Sequence, residues 1–129
     1  MQILRYYCMG SADESLCSLL GNIEKTHGIP SEICDVSHQG VYDPQKEKEV
    51  YERDFKPRAK TLKKRTGRSI EKNLRSRKTR NYFVSIPGTI AVVSDQGVEW
   101  YTLGREEISK FLDRVLVKGS VQLEELCTG

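Results

Sequence analysis

Residues 3 to 37 run through a strand pattern, a helix pattern and a second strand pattern, with only short connections between them. Strands are predicted over Ile3 to Cys8 and over Glu32 to Ser37, because each is a compact run bounded by turn residues. Between them, apolar residues recur at helical spacing: Leu16, Leu19, Leu20 and Ile23. A strand, a helix and a strand with short links form a βαβ unit with parallel strands. The chain is therefore expected to build an α/β sheet.

The helix of this unit has clear start and stop residues. Ser11 or Asp13 is expected to cap it near Glu14, and Ser11 followed by Glu14 fits a capping box. Gly28 and the proline two residues later are expected to end it.

The C-terminal part predicts a β-hairpin followed by a helix. Thr89 to Val93 and Val98 to Leu103 are strand-type runs, and the linker between them contains Asp95 and Gly97, which suit a tight turn. Residues 105 to 117 then have an apolar helical face. Pro87 stands before the first strand of the hairpin, where its missing N–H does not interrupt a sheet ladder.

The length of 129 residues fits a single domain, expected over residues 1–119 with a C-terminal tail over 120–129. The sequence has no signal-peptide or membrane-span pattern, so the protein is expected to be cytoplasmic. Four cysteines without a CxxC pair, with only two histidines, do not support a zinc site. No metal or organic cofactor is expected.

Residues 43 to 80, between the two halves, form a polar section predicted to be helical in pieces. Asp43-Pro44 suits an N-cap and first turn, Pro57 a kink or restart, and Gly67 a division between helices. Its large apolar residues are few: Tyr51, Phe55, Leu62, Ile70 and Leu74. The section must therefore pack on the main domain or remain partly mobile.

Within this section, residues 53 to 80, which we call the basic segment, carry thirteen basic and two acidic residues, a formal charge of +11. The rest of the chain holds eight basic and sixteen acidic residues, or −8. The candidate polyanion-binding residues are Arg58, Lys60, Lys63, Lys64, Arg65, Arg68, Lys72, Arg75, Arg77, Lys78 and Arg80. Such a cluster repels itself unless an anion or an acidic surface relieves it.

Three interpretations of the basic segment stay open. It contacts nucleic-acid phosphates, or it pairs with acidic residues of the same chain or of a homodimer, or it meets an acidic protein or an anionic membrane surface. The acidic candidates for pairing are Glu47, Glu49, Glu52, Glu106 and Glu107. No recognised nucleic-acid motif and no membrane anchor accompany the cluster.

The order of elements resembles the thioredoxin and glutaredoxin superfamily. The resemblance is carried by Ile86-Pro87 before the strand at Thr89 to Val93, the Asp95-Gln96-Gly97 turn, the second hairpin strand and the closing helix. It implies a three-layer α/β fold with a central mixed sheet of about four strands and a basic helical insert between strands two and three. It also implies that Pro87 is cis and that the main chain at Ile86 lines a groove for a peptide or thiol. A trans proline that only begins an edge strand is the alternative.

The sequence departs from that superfamily where its redox chemistry lies, since no CxxC dithiol follows the first strand. Cys8-Met9-Gly10-Ser11 has only the CxxS spacing of monothiol relatives, in which the first cysteine attacks and the serine stabilises the thiolate. The leading hypothesis is therefore a non-redox binding module that engages RNA or DNA through the basic segment. The alternatives are a monothiol thiol-disulfide oxidoreductase using Cys8 and Ser11, and a dimeric scaffold.

Overall fold

The computed structural model describes residues 1–74 and 86–126 of the chain. The strands in this part are β1 (Ile3–Cys8), β2 (Ser31–Asp35), β3 (Ser37–His38), β4 (Val41–Tyr42), β5 (Thr89–Ser94) and β6 (Gly97–Leu103). The helices are α1 (Glu14–His27), α2 (Pro44–Val50), α3 (Ala59–Thr66), α4 (Ile70–Asn73), α5 (Arg105–Lys118) and α6 (Leu123–Leu126). A π-helical turn, Tyr51–Phe55, and a 3₁₀ turn, Lys56–Arg58, connect α2 to α3.

The main sheet has four strands in the order β2-β1-β5-β6. β1 is parallel to β2 and antiparallel to β5, and β5 is antiparallel to β6, so the sheet is mixed. The predicted βαβ unit, the hairpin and the α/β class are confirmed. β3 and β4 pair with each other in a separate two-stranded sheet.

Helices cover both faces of the main sheet. Because successive strand residues point to opposite faces, Tyr6 joins one core cluster and Tyr7 the other. On the first face α1 and α5 supply Leu16, Leu20, Ile23, Ile108, Phe111, Leu112 and Val115. On the second face the helical section supplies Val50, Phe55, Leu62, Ile70 and Leu74. The described part of the section, residues 43–74, thus packs on the main sheet as a structural layer, whereas residues 75–80 lie outside the described residues.

The ends of the helices follow local sequence signals. Asp13, rather than Ser11, is the N-cap of α1, and its carboxylate accepts the N–H groups of Ser15 at 2.9 Å and Leu16 at 3.2 Å. Asp43 caps α2 in the same way, with Pro44 at the first helical position. Gly67 ends α3 in the left-handed conformation.

The second strand is shorter than predicted. It ends at Asp35, because the carboxylate of Asp35 accepts both the N–H of Ser37 at 2.8 Å and its hydroxyl at 2.6 Å. An aspartate that hydrogen-bonds the backbone two residues later turns the chain. Ser37 therefore begins the small β3–β4 hairpin instead of extending β2.

The expected cis bond before Pro87 is wrong. No peptide bond in the described residues is cis, so the Ile86–Pro87 bond is trans. Pro87 and Gly88 form a turn in which Gly88 has φ 84°, and the Gly88 N–H donates to the carbonyl of Tyr7 at 2.8 Å. Proline followed by a glycine of positive φ suits the two central positions of a type II turn, which requires no cis proline.

Candidate polyanion-binding surface

The arginines of α3 and the turn before it point toward the sheet and bind one buried carboxylate. Nη2 of Arg58 donates to both carboxylate oxygens of Glu99 at 3.0 Å each, and Nε donates to the carbonyl of Val98 at 3.2 Å. Arg65 contacts the same carboxylate and donates to the Glu99 carbonyl at 2.8 Å. Arg58 and Arg65 are seven residues apart, so they lie on one side of the helix. We call this contact the Glu99 clasp.

The Glu99 clasp explains why the charged carboxylate of Glu99 is tolerated at a buried position. The Glu99 side chain is only 7% exposed, and the hydroxyl of Ser94 donates to it at 2.6 Å. Burial on its own raises the pKa of Glu99, but the hydrogen bonds from Ser94 and Arg65 and the charge of Arg58 outweigh it. The pKa is therefore below its ordinary value, and the carboxylate stays charged.

A second buried carboxylate, Asp54, binds the π-helical turn to β1. It accepts the hydroxyl of Tyr7 at 2.8 Å, Nη1 of Arg5 at 3.2 Å and Nε of Arg53 at 2.8 Å. Burial opposes ionisation here too, but the hydrogen bonds from Arg53 and Tyr7 hold the pKa of Asp54 below its ordinary value. Arg53, the first arginine of the basic segment, thus pairs with a buried carboxylate although its own side chain is exposed.

The remaining cations of the described basic segment point outward. Lys60 and Lys64 lie on the side of α3 opposite Leu62, as the helical period requires, and Lys63 is exposed beside them. All of these exposed cations lack an ion pair with any described residue: Lys56, Lys60, Lys63, Lys64, Arg68 and Lys72. Glu71, which precedes Lys72 in sequence, accepts a hydrogen bond from the hydroxyl of Tyr51 at 3.1 Å. We call this set the outer face.

The structure therefore divides the predicted polyanion-binding residues. Arg58 and Arg65 belong to the clasp, whereas Lys60, Lys63, Lys64, Arg68 and Lys72 belong to the outer face. Arg75, Arg77, Lys78 and Arg80 lie outside the described residues.

The acidic residues that pair with the basic segment differ from those suggested by the sequence. Glu47 is buried and accepts the backbone N–H of Ile86, and burial raises its pKa. Glu106 and Glu107 lie 3.5 Å and 3.6 Å from Nζ of Lys110 in their own helix. Within the described residues, the carboxylates that pair with the basic segment are instead Glu99 and Asp54. The charge pattern of the sequence does not single out either residue as a partner.

The predicted redox residues lie at the end of β1. Cys8 is 4% exposed, and its Sγ lies 3.6 Å from the carbonyl oxygen of Gly10. Burial raises the pKa of this thiol, and the nearby Asp35 carboxylate raises it further. Ser11 is exposed in the following loop. A buried thiol beside a carboxylate is held in its protonated form, which is a poor nucleophile.

The predicted groove residues Ile86 and Pro87 lie beside this strand end. Ile86 is fully buried, and its N–H is already bound to Glu47, so that donor is engaged within the chain. Pro87 is partly exposed in its turn.

Two further properties of the described residues bear on the class of protein. They contain no group of three or more histidine, cysteine or acidic side chains arranged to hold a metal ion. In the same residues, no helix has the length and apolar character needed to cross a membrane.

The fold and surface define an α/β protein with a mixed four-stranded sheet and two helical layers, one of which has a basic outer face. Residues 4–114 match the family described as a domain of unknown function, DUF8045, and the chain belongs to that family. Neither the curated proteins nor the solved structures contain a significant match to this chain.

Proposed function

We propose that the protein is a binding module that engages a polyanion, RNA or DNA, through the outer face. The observation that carries this proposal is the set of six exposed cations that have no ion pair with any described residue. They lie on one layer of the molecule, on α3, α4 and the turns beside them.

The contrast with the inner arginines strengthens this proposal. Arg53, Arg58 and Arg65 each bind a buried carboxylate, so the fold supplies acidic partners where it uses cations for its own stability. In the described residues, no buried carboxylate binds a lysine of the outer face. Clustered unpaired cations repel one another, and the phosphates of a nucleic acid relieve that repulsion. Binding is further favoured because the lysines and arginines release the counterions condensed on the nucleic acid.

We further propose that the fold is thioredoxin-like and serves binding rather than redox chemistry. The strand order β2-β1-β5-β6, with a parallel first pair and an antiparallel hairpin, supports this relationship. Against a redox role stand the missing second thiol and the buried, protonated Cys8. The trans bond at Pro87 differs from the cis proline of that superfamily.

The test is fluorescence polarisation of short labelled RNA and DNA at about 50 and about 200 mM salt. We expect binding at low salt that falls steeply at high salt. Replacing Lys60, Lys63 and Lys64 with glutamate should abolish it. Arg65 is left unchanged, because replacing it with glutamate would break the Glu99 clasp. A loss of binding could then not be distinguished from a loss of folding.

The matched control reverses Lys25, Lys110 and Arg114, which are exposed on the opposite helical layer. It changes the net charge equally, so it should retain most of the binding if the outer face is the binding surface. Equal loss in both triple variants, or no binding at low salt, contradicts the proposal. Binding of a polyglutamate peptide in place of nucleic acid would indicate an acidic protein partner, and salt-sensitive self-association in light scattering would indicate a dimeric scaffold.

A further inference from the structure

A cavity of about 330 Å³ opens on the outer face where α3 ends and α4 begins. Lys63, Gly67, Arg68, Ser69 and Lys72 line it. Three of these five residues are cations, and none of the three has an ion pair with a described residue. The outer face therefore contains one concave position where several of its positive charges surround a common space.

The backbone fixes the cations around this space. Gly67 has φ 77°, and its N–H donates to the carbonyl of Lys63 at 2.9 Å, so the chain reverses directly after α3. The reversal brings Arg68 and Ser69 to the same cavity as Lys63. Ser69 then caps α4, with the backbone N–H of Lys72 donating to its Oγ at 3.4 Å. This geometry leaves the Ser69 hydroxyl proton available as a donor.

We propose that this cavity holds one phosphate group of the bound polyanion. Lys63, Arg68 and Lys72 supply the positive charge, and the Ser69 hydroxyl supplies a hydrogen bond. Ionised donors and acceptors form the strongest hydrogen bonds, and a phosphate offers oxygens in several directions at once. The inference rests on the proposed function and adds to it a defined position, whereas the other lysines of the outer face contribute only distributed charge.

The first experiment measures inorganic phosphate binding by calorimetry and by chemical-shift changes in NMR spectra. Ser69→Asp places a carboxylate in the cavity, whereas Ser69→Asn is neutral, and both residues are strong N-caps that preserve the start of α4. We expect Ser69→Asp to weaken phosphate binding at least about tenfold, the effect of losing one charge-assisted contact and gaining a repulsive one. Ser69→Asn should weaken it much less.

A charge-matched pair of variants separates the cavity from the rest of the surface. Arg68→Gln with Lys72→Gln should lose phosphate binding, whereas Lys60→Gln with Lys64→Gln removes the same charge outside the cavity and should retain it. Equal loss in the two double variants, or no phosphate binding by the unmodified protein, would overturn the inference.

The second experiment compares oligonucleotides with and without a 5′-phosphate. Stronger binding of the phosphorylated strand, lost in the cavity double variant, identifies a terminal phosphate as the occupant. Equal binding of both strands, reduced by the cavity variant more than by the Lys60 and Lys64 variant, identifies an internal phosphodiester. Oligonucleotide binding that is unchanged in the cavity double variant overturns this inference but not the proposed function. Phosphate binding without oligonucleotide binding overturns the proposed function but not the phosphate site.

Discussion

Arg58 and Glu99 form a two-point contact in which one guanidinium nitrogen donates to both carboxylate oxygens at 3.0 Å. The contact joins the turn before α3 to the edge strand β6, across 41 residues of sequence. It fixes the orientation of α3 on the sheet, and it thereby decides which side of that helix faces solvent.

Replacing Glu99 with glutamine should destabilise the protein strongly. The variant leaves Arg58 and Arg65 facing a neutral amide at a position that is 7% exposed. Removing one partner of a buried ion pair costs about 3 kcal/mol, because the remaining charge loses its compensation. Urea unfolding measures the change. Glu106→Gln, at an 83% exposed position in α5, is the control and should change stability by less than about 0.5 kcal/mol.

The stability of the protein should fall in acid, in part through Asp35. Hydrogen bonds from the Ser37 hydroxyl and from the N–H groups of Gly10 and Ser37 lower the pKa of Asp35 from 3.8 to about 2. Since the folded-state pKa is depressed, its contribution is complete above the unfolded value and is lost as the pH falls toward the folded value.

The measurement is urea unfolding at several values between about pH 2 and about pH 6. Asp35→Asn should make the loss of stability below pH 3.8 less steep. Buried Asp54 and Glu99, whose pKa values are also lowered, should keep part of the slope in that variant. An unchanged slope in Asp35→Asn would contradict the assignment.

Two glycine substitutions should have opposite effects. Gly88 has φ 84°, and an added Cβ would meet no atom within 4 Å, so Gly88→Ala carries only a backbone cost of about 1 to 2 kcal/mol. Gly21 lies inside α1 with equally open surroundings. Gly21→Ala should therefore stabilise by about 1 kcal/mol through helix propensity. Thermal or urea unfolding of the two variants checks both signs, and a neutral Gly88→Ala would contradict the turn.

Cys8 should react slowly with alkylating reagents. Its burial and raised pKa keep it protonated at neutral pH, so iodoacetamide should modify it more slowly than the partly exposed Cys17. Mass spectrometry of peptides from timed reactions gives both rates, and unfolding in urea should remove the difference. Alkylation of Cys8 at about pH 6 faster than a simple thiol would restore the oxidoreductase hypothesis.

Local patterns predicted most of the elements, because their signals lie within a few residues of one another. β1, α1, the hairpin and α5 appear with nearly the expected limits. The breaks at Pro44 and Gly67 follow directly from the conformations that proline and glycine favour.

Two predicted features, the end of β2 and the bond before Pro87, differ from the structure because local interactions compete with those patterns. Asp35 turns the chain through its bonds to Ser37, although the sequence continues with strand-type Val36. Pro87-Gly88 is a turn dipeptide, and that signal outweighs the element order that suggested a cis bond.

The Glu99 clasp depends on long-range pairing, so no local pattern contains it. The sequence does not distinguish the arginines of the basic segment from its lysines, whereas three arginines bind buried carboxylates and the lysines in its described part are exposed. The seven-residue spacing of Arg58 and Arg65 around Leu62 was the available hint, since it places all three on one side of a helix.

Because the inward arginines and the outward lysines are different residues, the proposed binding surface is separable from folding. The arginines that hold the helical layer in place are different residues from the lysines that it presents to solvent. Acetylation of the exposed amines would remove their charge but leave the guanidinium contacts in place. The protein can therefore gain or lose surface charge at α3 while the layer beneath keeps its architecture.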